Sequence, residues 1–173
     1  QRQMCIRDRD LGMPITLHVI FNPNYIGKHF YSDQSGLGPD FFVEAMVFGD
    51  TFLSFTNMMT EWVFEKFPYL RISMVEIGST WIAHWLDVLD FKYDRFGLAT
   101  ILTIKPSEYF PRQCWISAEP NEQALGAVAK IVGPDRIMWG SDWPHPQYFK
   151  PMPNDVGLLD MLLDWIPNEQ TRK

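Results

Sequence analysis

The run Arg136-Ile137-Met138-Trp139-Gly140-Ser141-Asp142-Trp143-Pro144-His145-Pro146 leads a short apolar stretch to a carboxylate and cuts it off with two prolines. Proline lacks an amide hydrogen and disfavours helix at the residue before it, so Asp142 is expected on a turn just past the carboxyl end of a strand. A carboxylate there can hold a divalent cation and accept a proton from water, whose pKa such a cation lowers from about 15.7 to about 7. His18, within Ile15-Thr16-Leu17-His18-Val19-Ile20, adds an imidazole, a common ligand for zinc and similar ions. Glu76, at the end of Arg71–Glu76, adds an oxygen donor that can ligate a metal, bind substrate or support a neighbouring ligand. Each has a plainer reading: an Asp capping a turn, a hydrogen-bonded core His, a Glu paired with a base.

Weaker candidates surround these. His145 lies in the Pro-rich segment of Asp142, where it can bind substrate, act as an acid or simply be solvated. His29 and Arg112 can meet an anionic group of a substrate, and Trp143 and Trp81 can wall a pocket, although aromatic stripes are more often core. His84 falls inside a helix and reads as structural.

Alternating strands and helices must position these groups. Ile15–Ile20, Arg71–Glu76, Cys114–Ser117 and Ile137–Gly140 read as short buried strands. Helices are expected at Phe41–Phe48, Thr51–Phe67, Ser79–Leu89, Pro106–Phe110 and Asn121–Val132, the last capped by Asn121, with a final one capped by Asp155. The Gly-rich polar segment Asn22–Asp40 is longer than a plain connection and is expected to serve function. The alternation favours parallel α/β packing.

Bulk properties exclude several classes. The 173 residues carry a net charge of −6, which argues against a nucleic-acid backbone as partner. Two cysteines, Cys5 and Cys114, make no disulfide framework. No apolar run reaches the roughly 18 residues of a membrane span. Residues 1–10 are charged and unpatterned, without a signal-peptide core, and are set aside as a non-native leader. Cytoplasm is the default compartment.

The Gly140-Ser141-Asp142-Trp143-Pro144 segment resembles the last barrel strand of the metal-dependent amidohydrolase superfamily, in particular the amidohydrolase-related branch that includes aminocarboxymuconate-semialdehyde decarboxylase. Three further stretches agree: Phe64–Ile72; Glu76–Ile82 with Trp85, Leu86, Leu89 and Asp90; and Pro106–Phe110 with Arg112–Ser117. The resemblance runs from about Pro14 to the end. It implies the C-terminal half of a (β/α)₈ TIM barrel, strands five to eight with their helices, occupying residues 11–173, since a complete barrel needs about 250 residues. It further implies a divalent metal, with zinc expected, held by His18 and Asp142; Asp142 would also be general base, and His18 ligand or carbonyl polariser. The implied substrate is a small molecule, with a homo-oligomer allowed and no membrane partner.

Two departures stand out. The family's decarboxylases usually carry His where this chain has Glu76, and the hallmark His-x-His pair does not occur in the sequence. The expected activity is therefore metal-assisted hydrolysis of a C–N or C–O bond in a small, carboxylated or cyclic substrate. Non-oxidative decarboxylation is the first alternative, and a non-catalytic half-barrel that binds a ligand or subunit is the second. A half-barrel alone would expose two strand edges, self-associate and lack activity.

Overall fold

A computed structural model of the chain describes residues 7, 11–19, 46, 48–119, 122–140, 157, 160, 162–164 and 166–172. Four short strands form one parallel sheet in chain order: β1 (Ile15–His18), β2 (Ile72–Val75), β3 (Cys114–Ala118) and β4 (Ile137–Trp139). Between them lie α1 (Gly49–Thr60), α2 (Val63–Lys66), α3 (Thr80–Phe96), α4 (Pro106–Gln113) and α5 (Leu125–Val132), followed by α6 (Glu169–Arg172). Parallel neighbours require crossover connections, and the apolar helices supply them. The α/β class expected from the alternation is therefore present.

One sheet face makes the core. Ile72 and Met74 of β2 and Cys114 and Ile116 of β3 are fully buried against Phe55, Phe64, Ile82, Leu86 and Phe110 of the helices. Each such aliphatic side chain contributes about 1.5–3 kcal/mol by leaving water. The alternate residues form the other face: Thr16 pairs in register with Ser73, and Ser73 with Trp115. Thr16 and Ser73 share a hydroxyl–hydroxyl hydrogen bond of 2.8 Å. Cys114 is a buried free thiol as expected, and burial pushes its pKa far above the ordinary range.

The helices differ from expectation in their limits. The single helix expected over Thr51–Phe67 is two, because Trp62 adopts a left-handed backbone conformation (φ 61°) between α1 and α2. At about 3.6 residues per turn, Phe64 would lie on the opposite side of one straight helix from Phe55. The break turns Phe64 back into the core, where its ring centroid lies 5.8 Å from that of Phe55. The helix after β2 runs on to Phe96 and ends where Gly97 takes up a left-handed conformation. The helix expected from Asn121 starts at Leu125, and Glu122 lies in the turn before it. Asn121 itself, Phe41–Ala45, Val47 and Asp155 lie outside the described residues.

A polar cluster ties α2 to α4. Tyr109 donates a short hydrogen bond to Glu65, and the Thr103 hydroxyl donates to the same carboxylate at 2.9 Å. The Tyr109 bond, aided by Thr103 and Arg112 and opposed by desolvation, holds the Glu65 carboxyl below its ordinary pKa. A depressed folded-state pKa stabilises the fold above the unfolded pKa and stops doing so as pH falls through the folded value. Urea unfolding of wild type and Tyr109→Phe should therefore show a larger stability gap at pH 7 than at pH 3. A gap independent of pH would contradict this linkage.

Candidate active site

The parallel register brings the carboxyl ends of β1 and β2 together, with His18 opposite Val75. Glu76 follows directly, and its Oε2 lies 3.2 Å from His18 Nε2. On the other side of the ring, Nδ1 lies 2.7 Å from the Val19 carbonyl oxygen. A carbonyl oxygen only accepts, so Nδ1 carries the proton. With a single ring proton, Nε2 turns its lone pair toward a carboxylate oxygen. That contact becomes attractive when Nε2 gains a proton or when a cation lies between the two atoms. The side chains remain 55% and 35% exposed, so the pair adds little stability.

Glu76 is also strained. Its φ of 57° puts a non-glycine residue in the left-handed region, a conformation that costs about 1–3 kcal/mol and persists only where neighbours enforce it. Its N–H donates to the Ser117 hydroxyl of β3 at 3.1 Å. Beyond it, Gly78 has a φ of 67° and Ser79 is fully buried. The Glu122 carboxylate accepts the Ser79 N–H in a short bond, the Ser79 hydroxyl at 2.5 Å and the Thr80 N–H at 3.0 Å. These are the first amides of α3, which a carboxylate suits by charge as well as by hydrogen bonding.

Among the expected site residues, the structure thus brings His18 and Glu76 together. Arg112 lies away from this pair. It lies at the end of α4, just before β3, at the opposite end of the strands from this pair. There its guanidinium donates to the Phe64 carbonyl at 2.8 Å and to Gln113, and stacks over the Tyr109 ring at 4.7 Å. These contacts tie α2 to α4 at that end of the sheet. His84 is exposed on α3, and Trp81 packs its ring on the core while donating to the Gly78 carbonyl at 3.0 Å. Asp142, His145, Trp143 and His29 lie outside the described residues.

The amidohydrolase family profile matches residues 9–173. The chain belongs to this family. A segment of 59 residues is 54% identical to the 4-sulfomuconolactone hydrolase of Hydrogenophaga intermedia, and covers 31% of this chain and 20% of that protein. The fold is similar to that of an amidohydrolase from Mycobacterium avium subsp. paratuberculosis, with a TM-score of 0.74 and 19% identity. That match covers 97% of this chain and 41% of the other. It is also similar to 5-carboxyvanillate decarboxylase from Novosphingobium aromaticivorans, solved with manganese and 4-hydroxy-3-methoxy-5-nitrobenzoic acid. There the TM-score is 0.65 and the identity 17%, over 97% of this chain and 47% of the other. The chain spans less than half the length of either solved protein.

Residues that sequence reasoning passed over lie around the exit of β2: Ser117 accepts the Glu76 N–H, and Glu122 binds Ser79 and Thr80 at the start of α3. The small Gly78-Ser79 step before a helix was the available signal, since it allows close approach by another group. Replacing Glu76 with Asn, which tolerates the left-handed region, should stabilise the fold by a few tenths to about 1 kcal/mol while removing the carboxylate. Chemical unfolding checks this, and a destabilised Glu76→Asn would show that the His18 contact outweighs the strain.

Proposed function

We propose that this chain is the carboxyl-terminal part of a metal-dependent hydrolase, with strands five to eight of a (β/α)₈ barrel, that opens small acidic lactones. The observation that carries the reading is the His18–Glu76 pair at the carboxyl ends of adjacent parallel strands, where barrel enzymes build their sites. The donor set fits a divalent cation. One atom is an imidazole nitrogen whose partner nitrogen is tied to a carbonyl, and the other is a carboxylate oxygen. Their 3.2 Å separation is what two donors each about 2.0–2.2 Å from one ion span. Among the described residues no group of three potential ligands gathers, so a further donor comes from elsewhere. Asp142, in the segment that follows β4, is the proposed one.

A divalent cation, when bound, supplies Lewis acidity toward an ester carbonyl. His18 Nε2 and Glu76 Oε2 would hold that cation beside the acyl group, and the Val19 carbonyl would keep the imidazole ring oriented. Asp142 accepts the proton of the attacking water and returns it to the ring oxygen as the C–O bond breaks, leaving a hydroxy acid. His145 and His29 are proposed to meet the acidic substituent, and Trp143 to wall the ring. The segment identity to a lactone hydrolase favours this substrate class. The fold likeness to a decarboxylase supports a second reading, loss of carbon dioxide from an aromatic acid in the same barrel. Glu76, where those enzymes are expected to carry His, weighs against it.

The full-length protein loaded with manganese or zinc is expected to open 4-sulfomuconolactone, with ring loss followed by ultraviolet absorbance. Asp142→Asn should lower kcat by about 10²–10⁴-fold with the fold intact, and a chelator should abolish turnover. Release of carbon dioxide from 5-carboxyvanillate without lactone opening would favour the second reading. An Asp142→Asn variant as active as wild type would sink both.

A further inference from the structure

We propose that Glu122, with Ser117, is a positioning residue that locks the exit of β2 so that Glu76 aims at His18. The proposal rests on the hydrolase reading above and adds a regulator of geometry to the same site. Glu76 holds a backbone conformation that a non-glycine residue abandons unless its neighbours over-determine it. The described neighbours do so on both sides. Ahead of it, the Ser117 hydroxyl fixes the Glu76 N–H at 3.1 Å. Behind it, the Glu122 carboxylate gathers the Ser79 N–H, the Ser79 hydroxyl and the Thr80 N–H, and takes the Glu119 N–H at 3.3 Å.

Both clamps come from β3 and the turn that follows it, so the third strand sets the aim of the second strand's carboxylate. The turn is held by the Glu122 N–H, which donates to the Glu119 carbonyl at 3.2 Å. Gly78 shows how tight the seat is, since a Cβ there would lie 2.8 Å from Glu122 Oε1. Ser79 is fully buried, so water competes little for its two bonds to Glu122. A plain helix cap would explain the bonds to α3. It does not explain why the same strand exit also fixes Glu76 from the front.

The amide of Glu122→Gln keeps one acceptor but turns an NH₂ group toward N–H donors, while Ser117→Ala removes the forward clamp alone. In the full-length protein each is expected to raise the Kd for Mn²⁺ by about 10–100-fold and to lower kcat on 4-sulfomuconolactone. The loss should be non-additive: Glu76→Gln combined with Glu122→Gln should be no worse than Glu76→Gln alone, because both act through one carboxylate. Additive losses, or variants that melt earlier yet keep wild-type Mn²⁺ affinity and kcat, would overturn the proposal. If Glu122→Gln does not fold, Ser117→Ala and its double variant with Glu76→Gln decide the matter. A crystal structure of either variant separates this idea from the hydrolase reading. Loss of the 3.2 Å His18–Glu76 contact supports positioning even if wild type opens no lactone. An unchanged contact refutes positioning even if wild type is active.

Discussion

Burial of one face of β2 and β3 is the constraint from which the rest follows. Ile72, Met74, Cys114 and Ile116 are sealed beneath Phe55, Phe64, Ile82, Leu86 and Phe110. Because side chains alternate, sealing that face fixes which residues turn the other way. A slip of one residue would exchange Met74 for Val75 and place Ser73 and Ser117 hydroxyls among aromatic rings, at a cost no neighbouring group offsets. The register is therefore set by the core, and the site inherits it: His18 opposite Val75 puts the imidazole beside the next residue, Glu76.

The aromatic rings do this for several helices at once. Phe55 of α1 packs edge to face against Trp81 of α3 and Phe110 of α4, and in a tilted arrangement against Phe64 of α2. Such pairs add about 0.5–1.5 kcal/mol each beyond area burial. The strained Trp62 that breaks the first helix is offset by this packing, since it delivers Phe64 to the cluster. Strain at Glu76 has a different origin. Its carboxylate is partly exposed and contributes little to the fold, while the left-handed conformation sets where the side chain leaves the backbone. Backbone strain beside a polar, solvent-open pair is the pattern of a functional site.

Much of this was legible in the residues. The four strands, their parallel order and the buried Cys114 follow from short apolar runs separated by helical periodicity. Helix limits were less legible because tertiary packing overrides local signals. Trp62 breaks a helix that periodicity would continue, and Glu122 leaves the helix predicted from Asn121 to cap another one. Arg112 was hard to place for a related reason: a lone cation between a helix and a strand has no sequence mark telling which end of the strand it faces. The approach of Glu122 to Ser79 spans two βα units and leaves no pattern within either, apart from the small Gly78-Ser79 step that admits it.

In the proposed site, Glu76 bears on the choice of metal. An imidazole at the exit of β2 would give the site two nitrogen donors, chemistry suited to zinc. Glu76 gives one nitrogen and one oxygen, and carboxylate oxygen shifts preference toward harder ions such as manganese. A carboxylate also carries a negative charge that an imidazole lacks. In the proposed site it neutralises part of the ion's charge, which weakens polarisation of the substrate but raises affinity for the ion itself. The Ser117 hydroxyl holds the Glu76 N–H at 3.1 Å, and the carboxylate reaches His18 at 3.2 Å from that fixed backbone.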